Sequence, residues 1–549
     1  MKNSTRALLL TAILSANFVA SLVGIDWGLP YRWNDDEKVD QAANMLWRHS
    51  LDPQYFINPH LDIYLVWAVT AAVYRMDPGH GVLSTFWRVR ELTDPENPDR
   101  AFQYTAMRAV RALSAVLSVL LVWLLFVIGR RHFDDATGLL AAAFMAVTMG
   151  LVNLAHFATT ETPLFLLALL SLFLFDNVIV RGRVRDYLWA GAAFGLAFST
   201  KYTAWILVAP FLAAHVARWG WRQTLSLRTV RLALAAGAAG VAAFVLTTPY
   251  AVLRWRQFYD ILVFDYSVGV PSGSFFTVPH TWILYLGILG NAMGWPLFVL
   301  SIAGSGLAVW SLTRGDISAP RQRAFLIHGV WIAAFYGFYG ASSHHALRFI
   351  MPIAPSLVLL AAVAGTTLVR RAAPTWSRGL ARTAVALVLG YSAAYTIAAD
   401  RMFLHDTRYD AGRWLEETAR PGDVVDYFMV EAYFPYLRES WLRTSLVPYV
   451  VDVRLRGRAF DRAMRDYLTR SNHLIVETEF FYRRFIEYPQ NVEHPHRRAF
   501  YERLLSGQDP SGYQPVHWFI YRNPWWLNPR PEAVAPAIVI LAKINPPRP

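Results

Sequence analysis

Blocks of about 16 to 30 residues with almost no charge recur along this chain, and that is the length needed to cross a hydrocarbon core ~30 Å thick. Inside such a core no water satisfies backbone N–H and C=O groups, so continuous apolar blocks must close their hydrogen bonds within themselves, as helices. Composition agrees: the 549 residues are 55% hydrophobic and 17% charged, against roughly 25% charged in a soluble globular protein. Candidate spans are 7–25, 60–76, 107–128, 138–155, 162–178, 188–217, 230–247, 282–310, 325–340, 350–369 and 380–399. The first, behind the basic start "MKNSTR", has the look of a signal peptide, but the spans that follow make an uncleaved helix the better reading. The block 188–217 is too long for one straight crossing and carries "FSTKYTAW" in its middle, so a broken helix or hairpin is expected there. The fold class predicted is a polytopic α-helical membrane protein of about 11–13 transmembrane helices.

Charge orients the chain. The net charge of +13 comes almost wholly from arginine, with only Lys2, Lys38, Lys201 and Lys543 as lysines. Scarce Lys beside abundant Arg and Ala suggests a high-GC bacterial source. Arg clusters between apolar blocks are what the positive-inside rule produces, so the basic balance needs no nucleic acid partner. "RWGWRQTLSLRTVR" (218–231), "TRGDISAPRQR" (313–323) and "RRAAPTWSRGLAR" (370–382) all read as cytoplasmic. The N-terminus then lies inside, while residues 26–59, 248–281, 341–349 and everything after 400 face the periplasm or exterior. Simple alternation puts "GRRHFDD" (129–135) and "RGRVR" (181–185) outside, against the charge rule. Obeying charge requires one extra crossing within 60–106 and a hairpin at 188–217. The absence of Cys excludes disulfides and thiolate metal sites.

From about residue 400 no spanning run occurs. "DAGRWLEETARPGDVV" reads as an amphipathic helix, a Pro-Gly turn and a strand, and "HLIVETEFFYRRF" as a buried strand running into a helix. Residues 1–400 are therefore expected to form the membrane domain, and 401–549 a small extracytoplasmic α/β domain. No repeat or low-complexity tract is present.

The densest acidic run, "NDDE", follows the first span and places Asp35, Asp36 and Glu37 beside the lipid boundary. The bland reading is a solvated loop. Two features weigh against it. "VDQAANMLWRHSLDP" carries Val39, Ala42, Ala43, Leu46 and Trp47 on one helical stripe suited to the interface. "FINPHLDIYLVW" then leads into the next span with a Pro, a His and an Asp at its mouth. A carboxylate held there is where a general base for a lipid-borne substrate must sit. No zincin-type His/His/Glu spacing occurs. The external aromatics of "DWGLPYRW" read more readily as an interfacial belt than as sugar-stacking rings, and the Gly- and Pro-rich stretch 264–282 reads as a mobile lid.

These residues resemble the first external loop of the GT-C glycosyltransferases, in particular the dolichyl-phosphate-mannose protein mannosyltransferase and aminoarabinose transferase-like group. That group shows an Asp-Glu pair after its first span and a Pro-Pro-Leu element before its second. "RALSAVLSVLLVWLLFVIGRRHF", "HFATTETPLFLLALLSLFLF", "GLAFSTKYTAW" and "HALRFIMPIAPSLVLLAA" follow in the family's order. The resemblance covers residues 1–400, and the tail loosely. It implies a GT-C-like catalytic domain that moves a sugar from a polyprenyl-phosphate donor to an acceptor hydroxyl on the external face, inverting the anomeric centre. It implies no required cofactor; a divalent cation held by the clustered carboxylates has no support beyond their proximity.

Carried onto this sequence, Asp36 aligns with the family's Asp and is expected to be the base, Glu37 aligns with the Glu after it and is the second residue expected to be catalytic, and Asp35 is a like-charged neighbour. The departing phosphate needs cations. Lys201 is the first choice, because a Lys in an apolar stretch costs roughly 2.5–3.5 kcal/mol unless it faces a cavity or partner; snorkelling to the interface is its bland alternative. Arg348 is the second, weighed against a plain interfacial anchor. His344 and His345 beside it, and His60, which replaces one Pro of the Pro-Pro-Leu element, are candidates for contacts with phosphate or acceptor. Tyr202, next to Lys201, and Glu161, at a helix start where a carboxylate also suits the helix dipole, complete the set. The expected partners are the polyprenyl-phosphate-linked sugar, an acceptor protein, lipid or glycan, and the bilayer of the cell inner membrane. Two competing classes remain at this level: a lipid-linked-glycan transporter or flippase, which the lack of inverted repeats disfavours, and a non-catalytic envelope assembly factor.

Overall fold

The computed structural model describes residues 2–29, 31, 33–34, 36–76, 98–268, 281–342, 345–420, 423–427, 434–435, 437, 443–446, 457–486 and 495–543. Asp35, His344 and most of the expected lid (269–280) lie outside the described residues. The helices, in chain order, are α1 (Asn3–Leu22), α2 (Val39–Trp47), α3 (Leu61–Met76), α4 (Pro98–His132), α5 (Asp135–Ala146), α6 (Met149–Ala155), α7 (Glu161–Val180), α8 (Val184–Phe198), α9 (Val208–Gln223), α10 (Leu227–Thr247), α11 (Trp255–Val268), α12 (Trp282–Met293), α13 (Trp295–Leu312), α14 (Pro320–Gly340), α15 (Ala354–Arg371) and α16 (Thr375–Leu404). Local chemistry sets several boundaries. Asp134 caps α5 by accepting from the Thr137 N–H, Ser226 caps α10 through the Thr229 N–H, and Gly294, at φ 77°, separates α12 from α13.

Ion pairs mark the two ends of the bundle. At one end Arg6 meets Asp135 at 2.9 Å, Arg131 and Arg323 meet Asp176 at 2.6 and 2.7 Å, and Arg370 meets Asp134. At the other, Lys201 meets Glu161 at 2.7 Å, and the Leu61 N–H donates to the Ser199 carbonyl at 3.0 Å. Between these ends run α1, α4, the pair α5–α6 bent by 61°, α7, α8, α9, α10, α13, α14, α15 and α16. Among the described residues seven helices are by themselves long and apolar enough to cross a membrane, or eight with the bent pair taken as one span. The rest of the legs are shorter or more polar, as with α8 and α9 at 15 and 16 residues.

One expected crossing does not traverse. Helix α3 forms where a span was predicted, yet it stays at the Lys201 end: the Tyr74 ring lies 6.0 Å from Phe102. Two residues further along α4, the Tyr104 hydroxyl donates to the Leu29 carbonyl at 3.2 Å. The physical reason is that Val66, Val69 and Val73 are covered by α2 and α4, so the apolar face of α3 is satisfied by protein. The charge conflict dissolves with it. Helix α4 starts at the Lys201 end and delivers "GRRHFDD" to the Arg6 end. Residues 188–217 form a two-helix hairpin, α8 and α9, joined by a short 3₁₀ turn at Tyr202–Leu207. The arginine-rich loops then share one end without an extra crossing.

Packing between legs is closest where side chains vanish. A Cβ on Gly191 would stand 1.9 Å from the Ala236 carbonyl oxygen, and one on Gly195 2.1 Å from that of Gly240. Small residues one turn apart let α8 and α10 touch backbone to backbone.

Beyond α16, α17 (Thr407–Thr418) is followed by β1 (Val424–Tyr427), β2 (Arg443–Leu446), α18 (Gly457–Arg470), β3 (Leu474–Thr478), α19 (Glu479–Ile486), α20 (Pro495–Leu505), β4 (Tyr513–Phe519) and β5 (Ile538–Lys543). The strands form one sheet in the order β2-β1-β3-β5-β4, parallel from β2 to β3 and antiparallel beyond. Both the helix–strand pair at 407–427 and the strand–helix pair at 474–486 occur as the sequence pattern predicts.

Candidate active site

The loop between α1 and α2 is built around two indoles. Trp27 and Trp33 are buried, their rings 5.6 Å apart edge to face. Their N–H groups donate to Asp406 Oδ2 and to the Phe434 carbonyl, each at 3.0 Å, and the Arg408 guanidinium lies 3.9 Å from the centre of the Trp33 ring. These tryptophans are interior, so the belt expected of them is not what they form. They hold the loop against the sheet region.

The next turn is fixed by Asn34 and Glu37. Asn34 Oδ1 accepts from the Asp36 N–H at 3.1 Å, an Asx turn. Glu37 is buried and bound by Arg111 of α4 through two parallel bonds of 2.8 Å, while its Oε1 also accepts from the Ala158 N–H at 3.1 Å. The same arginine donates to the carbonyls of Ile25 and Trp27 at 2.7 and 2.8 Å. A buried carboxylate is tolerable only when so fully paired. Glu37 and Arg111 thus freeze the backbone on either side of Asp36.

Asp36 itself points outward, its side chain 37% exposed. Its Oδ2 is in contact with the Arg348 guanidinium, and its Oδ1 is 4.0 Å from Lys38 Nζ. Arg348 belongs to the short turn before α15. Its N–H donates to Glu532 Oε2 at 3.0 Å, and its guanidinium reaches Glu532 Oε1 at 3.5 Å. Burial raises the Glu532 carboxyl above the usual glutamate range, the negative charges of Glu161 and Asp36 act in the same sense, and Arg348 opposes them. Glu161 opens α7 and takes Lys201 at 2.7 Å; the lysine lies between α8 and the following 3₁₀ turn, 5.4 Å from the Phe349 ring. Asp36, Arg348, Lys201 and Glu161 therefore share one charged cluster at one end of the bundle.

His345, close to Arg348 in the chain, is buried. His60 and Tyr202 occupy a neighbouring corner. His60 is fully buried, with Nε2 2.8 Å from the Tyr55 carbonyl and its N–H on Thr248 Oγ1 at 3.3 Å, and the Tyr202 hydroxyl donates to the Phe56 carbonyl at 3.0 Å. Lys38 joins corner and cluster, donating to the Tyr55 hydroxyl at 3.2 Å. Among the described residues no group of three or more His, Asp or Glu converges as a metal site does.

Sequence reasoning missed Arg111, Lys38 and Glu532. Arg111 had a signal: a charge inside the apolar helix "AMRAVRALSAV" must face a partner. Lys38 directly follows the acidic run and could have been read as its counter-ion. Glu532, in "NPRPEAVAP", carried none.

Fold and site together define a class, a polytopic helical membrane protein with a carboxylate–cation cluster at one end of the bundle. Residues 102–248 match the family described as dolichyl-phosphate-mannose-protein mannosyltransferase. The match, over part of the chain, is to the mannosyltransferase family that the first-loop resemblance named. It is 29% identical over 272 residues to undecaprenyl phosphate-alpha-4-amino-4-deoxy-L-arabinose arabinosyl transferase 1 of Pseudomonas fluorescens. That match spans 47% of this chain and about half, 46%, of the curated relative. Among solved structures it is similar to ArnT from Cupriavidus metallidurans bound to undecaprenyl phosphate (15% identity, 98% of each chain, TM-score 0.44). It is also similar to the Archaeoglobus fulgidus oligosaccharyltransferase (12% identity, 90% of this chain and 72% of that one, TM-score 0.49).

Proposed function

We propose that this protein is a membrane glycosyltransferase that moves a sugar from a polyprenyl-phosphate donor to an acceptor hydroxyl on the non-cytoplasmic face, with inversion and with Asp36 as general base. The observation that carries the reading is the half-exposed Asp36 carboxylate lying against Arg348, in one cluster with Lys201. The family match and the arabinosyl transferase relative support the donor class.

In the reaction the acceptor oxygen attacks the anomeric carbon as its proton passes to Asp36. The bond from that carbon to the phosphate oxygen breaks, and the electron pair leaves with the phosphate. The donor phosphodiester carries one negative charge and departs as a monoester that gains a second. Cations at Lys201 and Arg348 therefore stabilise the transition state more than the bound donor. Arg348 begins on Asp36; an arriving phosphate competes for it and releases the carboxylate to act as base. Glu37 and Arg111 act through position, holding the turn that aims Asp36. The domain of residues 401–549 is read as extracytoplasmic, and its Glu532 steadies Arg348.

Asp36→Asn, reconstituted in proteoliposomes with a polyprenyl-phosphate sugar, is expected to lose about 10²–10⁴-fold in transfer rate while binding donor as before. Transfer at the wild-type rate by well-expressed Asp36→Asn protein removes Asp36 as the base. Persistence of the cell's glycans when Asp36, Lys201 and Arg348 are all replaced would favour a non-catalytic envelope role.

A further inference from the structure

The stretch "YRNPWWLNPR" between β4 and β5 carries two tryptophans that the sheet region does not bury: Trp525 is 90% exposed and Trp526 53%. Exposed indoles on a soluble domain are costly unless something covers them. What lies beside them is known from the backbone of the same loop. The Tyr391 hydroxyl of α16 donates to the Trp526 carbonyl at 3.0 Å. Asn291 of α12 donates to the Arg530 carbonyl at 3.0 Å and accepts from its N–H at 3.1 Å. The loop is therefore clasped to the outside of the helical bundle, against α12 and α16.

Its height along the bundle follows from helix geometry. Tyr391 stands about 24 Å up α16 from Thr375, at 1.5 Å per residue. Helix α13, of 18 residues, rises about 26 Å from Leu312 to Trp295. The two agree, because Gly294 lies against the Tyr391 ring, where an added Cβ would be 3.5 Å from it. Thr375 and Leu312 both lie at the arginine-rich end, so Tyr391 and Gly294 lie where a ~30 Å hydrocarbon core gives way to headgroups. Trp295, Val299 and Ile302 of α13 are exposed and form a lipid-facing surface just below. Tryptophan is the residue that favours this boundary, with its ring in the acyl margin and its N–H toward the headgroups.

We propose that Trp525 and Trp526 insert into the bilayer interface on the side of the sheet region and anchor that region to the membrane as a second attachment besides α16. The occupant of this surface is lipid, since the indoles continue the lipid-facing surface of α13. The proposal rests on the helices being spans and is independent of the sugar-transfer reading.

The absence of cysteine from the chain makes the test direct. Trp525→Cys and Trp526→Cys in the full-length protein are each labelled with an environment-sensitive fluorophore, with Glu417→Cys at the exposed end of α17 as the aqueous reference. In proteoliposomes the first two labels are expected to emit to the blue of the reference and to be quenched several-fold more by lipids carrying a nitroxide near the top of the acyl chain. Trp525 packs against little, so its replacement leaves the fold intact. Quenching equal to that of the Glu417 label overturns the proposal. A blue-shifted label that lipid nitroxides do not quench also overturns it, because a protein surface, a second copy or an acceptor, would then be the cover.

Discussion

Two neighbouring carboxylates show how far a residue's work depends on its partner. Asp36 is exposed to the site, whereas Glu37 is buried on Arg111 with side-chain exposures of 2% for the arginine and 1% for the glutamate. Removing one member of such a pair strands the other charge. Glu37→Gln or Arg111→Met alone is expected to cost about 3–5 kcal/mol, and the double Glu37→Leu, Arg111→Met to cost less than either. Thermal unfolding in detergent reads the difference. A purely catalytic Glu37 would show lost turnover at unchanged stability. In the sheet region Glu477 makes the opposite case: its two carboxylate oxygens are buried with no hydrogen-bond partner among the described residues, and burial raises its pKa well above the ordinary 4.5. A raised folded-state pKa favours the protonated form, so stability is greatest below the ordinary value and declines as pH rises from there through the folded value. Glu477→Gln is expected to flatten that decline and to stabilise the protein at neutral pH, measured as melting temperature across pH.

At the scale of elements, the contact between α8 and α10 sets the position of Lys201, which sits just past the end of α8. Gly195→Leu forces the helices apart and is expected to lower both melting temperature and transfer activity, by about 1–3 kcal/mol of stability or more. Gly237→Leu, on α10 with nothing within 4 Å of an added Cβ, is expected to be silent. Comparing the two in the same detergent separates helix contact from general intolerance of glycine replacement. Most elements were legible in the sequence, because length and uninterrupted apolarity report directly on a span, and "FSTKYTAW" marked the hairpin between α8 and α9. Helix α3 was not. An apolar helix of 16 residues reads the same whether its neighbour is lipid or protein, and only the covering faces of α2 and α4 decide. The acidic run was legible because charge next to an apolar block must have a purpose. The pairings Asp36–Arg348 and Arg348–Glu532 were not, since they join distant stretches of chain through tertiary folding alone.

For the whole molecule, the shared end of the arginine-rich loops predicts sidedness. Ser318→Cys, in the loop between α13 and α14, is expected to react with a membrane-impermeant thiol reagent only after cells are opened. Gln508→Cys, in the sheet region, is expected to react once the reagent reaches the periplasm or exterior. The reverse pattern would place the Asp36 cluster in the cytoplasm and end the donor assignment made above. The cysteine-free sequence again keeps each signal specific to its site.

The bond between the Arg348 N–H and Glu532 has a consequence in time. The turn bearing Asp36 leaves the ribosome well before Glu532 does. A chain still being inserted thus holds its proposed base and phosphate-binding lysine, yet lacks the carboxylate that seats Arg348. The proposed site is thus completed only after Glu532 has been made and has folded back onto Arg348.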